Sequence, residues 1–139
     1  MNPRILSSPP RLTSVVPQDR VNVEQIEKPW GYELVYAVTD SYCGKILFVR
    51  AGASLSLQYH RVKDETIYLQ QGAAVIELGA DAQRMTTYEI TPGASFRVPV
   101  GTIHRLRAVT DSVFLEVSTP HLDDVVRIED RYGRAASDV

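Results

Sequence analysis

The stretch SLQYHRVKDE, residues 56–65, places Gln58, His60, Lys63 and Glu65 within eight positions of one another. Imidazole and carboxylate are donors that zinc, manganese, iron, nickel and cobalt accept, and a Gln carbonyl oxygen is a weaker, harder donor beside them. A lysine among such groups is a candidate proton carrier. A fourth donor has to come from elsewhere in the chain, and His104, just past the Pro99-Val100-Gly101 turn, is the candidate. His121, next to Pro120, reads as a surface residue. The same side chains would also suit the solvated lip of an ordinary strand, so spacing alone leaves both readings open.

A strand is needed to bring these donors together. Side chains of a strand alternate between faces, which puts Ser54, Ser56, Gln58, His60 and Val62 on one side of a strand over 54–62. Leu55, Leu57 and Tyr59 fall on the other side, as an apolar stripe that a second sheet or a partner subunit must cover. Glu65 then opens the following strand, across a bend. Further strands are expected at 32–38, 44–50, 66–70, 74–78, 84–90, 95–98, 104–109 and 113–117, separated by Gly and Pro turn signals. Many short strands of this kind imply an all-β sandwich or small barrel. The tail 122–134 is compatible with a helical turn or a short edge strand.

The chain has 139 residues, enough for one domain, and 15 Lys plus Arg against 17 Asp plus Glu give a net charge of -2. No basic stripe exists to neutralise a run of phosphates, which argues against nucleic acid as a partner. Residues 1–22 hold four prolines and three serines without apolar periodicity and read as a flexible arm ahead of a single domain over 23–139. There is no apolar core of a secretory signal and no apolar run of membrane-spanning length, so a cytoplasmic protein without membrane contact is expected. Cys43 is the single cysteine, and an internal disulfide is ruled out.

Three signatures in this order resemble a known family. Gly52 to Gly72 is similar to the first cupin motif, and Gly93 to His104, with Pro99-x-Gly101-x-x-His104, to the second. EKPWGYE (27–33), SLQYH (56–60) and DDVVRIEDRYGR (123–134) resemble the cupin domain of type II mannose-6-phosphate isomerases. The resemblance implies a cupin jelly-roll β-barrel, also called a double-stranded β-helix, with one divalent metal at its mouth. It carries the ligand positions onto His60, Glu65 and His104. The usual His-x-His pair is altered: Val62 follows His60 by two, whereas Gln58 precedes it by two, and Gln-x-His is the pairing of the zinc-dependent phosphomannose isomerases. Zinc is therefore the first candidate metal. The 139 residues hold no counterpart of the nucleotidyltransferase domain of the bifunctional type II enzymes, so sugar-nucleotide synthesis is not expected of them. HRVKDETI also stands where the family has a His-rich segment, so the substrate stays open.

By the same resemblance the function is aldose–ketose isomerisation of a sugar phosphate such as mannose 6-phosphate, with a homodimer as the assembly. Lys63, two residues before Glu65, occupies the place of an active-site lysine, and a nearby dication is expected to bring its pKa down toward a base's range. Arg50, Arg97 and Arg105 are candidates for holding the phosphate, and Trp30 and Tyr32 for covering a sugar face. A non-catalytic sugar-binding module and a different metal cupin, such as an oxygenase, are the competing readings.

Overall fold

The structure, a computed structural model, describes residues 22–134. Its elements in that span are all strands: β1 (Glu24–Lys28), β2 (Gly31–Val38), β3 (Cys43–Val49), β4 (Leu57–Tyr59), β5 (Glu65–Gln71), β6 (Ala74–Gly79), β7 (Thr86–Ile90), β8 (Ser95–Val98), β9 (Ile103–Ala108), β10 (Ser112–Ser118) and β11 (Val126–Glu129). They build a six-stranded sheet in the order β1-β2-β3-β10-β5-β8 and a five-stranded sheet in the order β11-β4-β9-β6-β7. Every strand pairing is antiparallel. This is the expected all-β jelly roll. The arm expected over 1–22 lies outside the described residues except for residue 22. Among the described residues no helix is long and apolar enough to cross a membrane.

Strand alternation makes the core. In β3, Cys43, Lys45, Leu47 and Val49 are buried while Ile46 and Phe48 are partly exposed. The inward positions of both sheets meet in a cluster that includes Leu47, Ile67, Leu69, Ile76, Leu106 and Phe114. Each such side chain contributes about 1.5–3 kcal/mol on leaving water.

The strand expected over 54–62 is much shorter. Only Leu57–Tyr59 forms a ladder, and Ser54 makes a single bridge to Arg107. Outside three paired residues the backbone is not pleated, so alternation does not extend to Leu55. Leu55 packs against the core, and Leu57 is 5% exposed. Of the two covers open to the stripe, a second sheet or a partner, the chain itself supplies the one over Leu55 and Leu57. Outward-facing apolar side chains sit instead on the larger sheet, where Tyr36 and Tyr68 are 39% exposed and Val117 is 56% exposed.

The tail that the sequence left undecided resolves as an edge strand. β11 pairs with β4, setting Arg127 opposite Gln58. At the far edge of the other sheet, β1 and β2 form a tight hairpin in which Lys28 pairs with Gly31. Gly31 has a φ of +155°, and a Cβ there would lie 1.8 Å from the Phe48 carbonyl oxygen. Only glycine lets β2 approach β3 this closely while Pro29-Trp30 turns the indole inward.

We expect Gly31→Ala to destabilise the protein by about 3 kcal/mol or more in denaturant unfolding. Gly52→Ala, with a φ of +78° but nothing within 4 Å, should cost about 1–2 kcal/mol. Equal effects would show that close approach at Gly31 is not the constraint.

Candidate metal centre

The donors come from both sheets. His60 directly follows β4, Glu65 opens β5, and His104 is the second residue of β9, directly opposite Gln58. Between His60 and Glu65 the chain must therefore cross from the smaller sheet to the larger in four residues. Asp124 holds that crossing. Its carboxylate accepts hydrogen bonds from the amides of Arg61 (3.1 Å), Val62 (2.7 Å) and Lys63 (2.7 Å). Burial would raise the Asp124 pKa, but these three amides outweigh it and bring it down to about 2. The Gly101 amide closes the other side by donating to the His60 carbonyl at 2.8 Å. In this crossing Val62 turns outward, 56% exposed, while Gln58 lines the cavity.

His60, Glu65 and His104 are all buried, and their ligand atoms lie within 4.8 Å of one another. His60 Nδ1 is 2.6 Å from the Asp124 carbonyl oxygen, and His104 Nδ1 is 2.9 Å from that of Thr102. A carbonyl oxygen only accepts, so each Nδ1 carries a proton, and in the neutral form of each ring the Nε2 lone pair is the one offered to the cavity. Both Nε2 atoms then lie 3.2 Å from the same Glu65 Oε1, itself an acceptor. Three lone-pair donors converging on one point, with no proton to share, fit a cation. The donor set, two imidazoles and one carboxylate with the Gln58 amide beside them, suits a divalent metal.

Beyond these donors the cavity is lined by charges on strand positions that would otherwise be apolar. Lys63 Nζ lies 3.0 Å from Glu65 Oε2 and 3.2 Å from Glu116 Oε2. Lys45 lies directly opposite Glu116 across the β3–β10 ladder, and its Nζ is 3.5 Å from Glu33 Oε1. Burial raises the Glu116 carboxyl, the Glu65 charge raises it further, and despite Lys63 and Lys45 it reaches about 7. Lys63 lies between Glu65 and Glu116. Burial pushes its pKa down, yet the Glu116 and Glu65 carboxylates outweigh burial and hold its ammonium above the usual lysine range.

Gln58, His60, Lys63, Glu65, His104 and Trp30 all line one cavity. The three arginines expected to hold a phosphate do not. Arg50 is exposed and donates to the Pro29 carbonyl. Arg97, its side chain 64% exposed, is paired with Asp64. Arg105 is held by Glu77 and Glu129. Tyr32 faces outward and stacks on Phe48 at 4.5 Å, and His121 is exposed, as expected. The cavity cations are instead Lys28, Lys45, Lys63, Arg127 and Arg134. A charged residue at an inward position of a strand, such as Glu33, Lys45 or Glu116, was the readable signal for this lining. Lys28, Arg127 and Arg134 had no such signal, because only the pairing of the sheets brings them to the mouth.

Residues 18–130 match the family model described as mannose-6-phosphate isomerase C-terminal. The chain is 30% identical over 115 residues to the xanthan biosynthesis protein XanB of Xanthomonas campestris pv. campestris, covering 79% of this chain and 24% of that protein. It is 31% identical over 121 residues to a mannose-1-phosphate guanylyltransferase of Escherichia coli, covering 79% of this chain and 23% of the enzyme. The chain thus spans about a quarter of the length of these curated relatives. Among solved structures, the capsular polysaccharide assembling protein CapF from Staphylococcus aureus aligns with a TM-score of 0.68 at 18% identity. The alignment covers 78% of this chain and 32% of CapF, a likeness of fold.

Asp124→Ala should weaken the protein by about 1.5–3 kcal/mol at pH 7, the scale of hydrogen bonds to a charged group. Because the Asp124 pKa is depressed, its contribution is present above the ordinary carboxylate pKa and lost as pH falls through about 2. Denaturant melts of wild type and variant should therefore begin to converge below about pH 4 and coincide once the pH falls below about 2. A gap that persists there would show that the carboxylate charge is not what holds the crossing.

Proposed function

The chain belongs to the mannose-6-phosphate isomerase C-terminal family, and we propose that it is a metal-dependent isomerase interconverting a phosphorylated aldose and ketose. Mannose 6-phosphate and fructose 6-phosphate are the first pair to test, and zinc is the first metal, with manganese, iron, nickel and cobalt acceptable to the same donors. The observation that carries the reading is the meeting of His60 Nε2, His104 Nε2 and Glu65 Oε1, each with its lone pair directed at one point. A divalent ion held there supplies positive charge against which negative charge on a sugar oxygen can develop.

The rest of the chemistry falls to the chain. Conversion of aldose to ketose removes the C2 proton, delivers a proton to C1, and moves the O2 hydroxyl proton to O1, so no oxidant or reductant enters. Lys63 Nζ, set between Glu65 Oε2 and Glu116 Oε2, is the carrier in this reading. Glu116, whose carboxyl lies near neutrality, is the group with which it exchanges that proton. Burial of Lys63 and Glu116 keeps bulk water from competing for it. The second reading is a sugar-binding module without turnover. It is favoured by the same Lys63, which two carboxylates hold firmly in its charged form.

In this reading the purified protein should hold one metal per chain by mass spectrometry, and His60→Ala or His104→Ala should strip it from a folded barrel. Lys63→Arg, which keeps the charge, should retain the metal and lower turnover by about 10²-fold or more. A panel of hexose and pentose phosphates in deuterated water should reveal exchange at C2. No exchange with any of them, in fully metallated protein, would leave the binding module.

We also propose that the chain is a homodimer sharing the outer face of the larger sheet, where Tyr36, Tyr68 and Val117 stand exposed. A twofold interface uses the same patch on both copies, so one substitution acts twice. Light scattering at micromolar concentration should give twice the 15.5 kDa chain mass, and Val117→Glu should halve it. A wild-type monomer would remove this proposal.

A further inference from the structure

The two sheets each end on a strand beside the cavity: β1 is an edge of the larger sheet and β11 an edge of the smaller. Lys28, the last residue of β1, Arg127 of β11, and Arg134 just beyond it all line the cavity there. Resting on the isomerase reading above, we propose that Lys28, Arg127 and Arg134 form the site that takes the phosphate of a sugar phosphate whose other end lies against His60, Glu65 and His104.

Register provides the spacing. Arg127 is directly opposite Gln58, and Gln58 directly opposite His104, so the three make one row across β11, β4 and β9. Adjacent strands are about 4.8 Å apart, which separates the Arg127 and His104 backbones by roughly 10 Å. An extended six-carbon sugar phosphate is long enough to reach from one end of that row toward the other. The cavity itself is small, about 120 Å³. It can enclose the reacting carbons of such a sugar, and the phosphate then has to lie at the mouth.

The cations are built into place. Asp130, whose side chain is 0% exposed, holds Arg134 through two bonds of 2.8 and 3.0 Å, and Arg134 also lies 5.7 Å over the Tyr132 ring. Lys28 is 3.9 Å from Glu33. Its ammonium is lowered chiefly by burial; Glu33 opposes this, and Lys45, Arg134 and Arg127 add to it by repulsion. A dianion at the mouth would relieve that repulsion. Inside the cavity, Ser56 Oγ is buried without a hydrogen-bond partner, the one such side-chain atom among the described residues. A sugar hydroxyl would satisfy it.

The test is calorimetric titration of metal-loaded protein with glucitol 6-phosphate and with glucitol, open-chain probes that cannot isomerise. Wild type should prefer the phosphate ester by at least tenfold. Lys28→Gln, on an edge strand with a partly exposed side chain, and Arg127→Gln should each weaken the ester by about tenfold, the worth of one charge-assisted hydrogen bond. Binding of glucitol and metal content should stay unchanged in both variants, and the double variant should show no preference. No preference in wild type, or a preference that survives in the double variant, would overturn the proposal. Equal wild-type affinity for a hexuronic acid would overturn the assignment to phosphate. A preference lost with the cations, in protein that shows no C2 exchange, would uphold this site and end the isomerase reading. Exchange with an unchanged KM in the double variant would do the reverse.

Discussion

The Glu65 carboxylate is the point on which the interior depends. It is 3% exposed, and its two oxygens serve three partners: Oε1 faces His60 and His104, and Oε2 faces Lys63. A carboxylate so buried is costly unless its charge is matched. Matching it commits the neighbouring strands to further charges. Glu65 fixes Lys63, Lys63 fixes Glu116, Glu116 stands opposite Lys45, and Lys45 meets Glu33. The inner face of the larger sheet is thus half electrostatic, with an apolar floor of Leu47, Ile67 and Phe114 beneath it.

Such a chain of buried ion pairs is a poor way to stabilise a barrel. Apolar residues of similar volume would do as well or better, because desolvation consumes most of the Coulomb attraction. The alternation of signs has a different consequence. Each member is held by neighbours on other strands, so the proton on Lys63 and the lone pairs on the two histidines have defined positions. Stability comes from the apolar floor and the two antiparallel sheets.

Backbone contacts matter as much as side-chain charges. Asp124 ties the crossing 61–63 with its carboxylate and orients His60 with its carbonyl, so one residue far along the chain sets both the turn and the tautomer. The same turn rotates Val62 into solvent and leaves Gln58 as the partner of His60. The β-bulge between Arg127 and Glu129 occurs next to this point, where β11 must both pair with β4 and present Arg127 to the cavity.

Much of this was legible in the chain before folding. Strand-length apolar segments between Gly and Pro turns determined an all-β barrel, because period-two patterning cannot be buried in any other way. Spacing alone left Gln58, His60, Glu65 and His104 open between a metal site and a solvated strand lip, and it was the resemblance to the cupin motifs that gathered them. Lys63 was readable as a member of the site but not as a charge held between two carboxylates, since Glu116 lies 53 residues away. What covers Leu55, Leu57 and Tyr59 was open between a second sheet and a partner, because alternation holds only while a strand is paired, and pairing is a tertiary fact. Arg50, Arg97 and Arg105 were plausible cations that the sheets turned away from the cavity, while Lys28, Arg127 and Arg134 were brought to it. Which strand lies beside which is decided by long-range register, and no local pattern of residues carries that information.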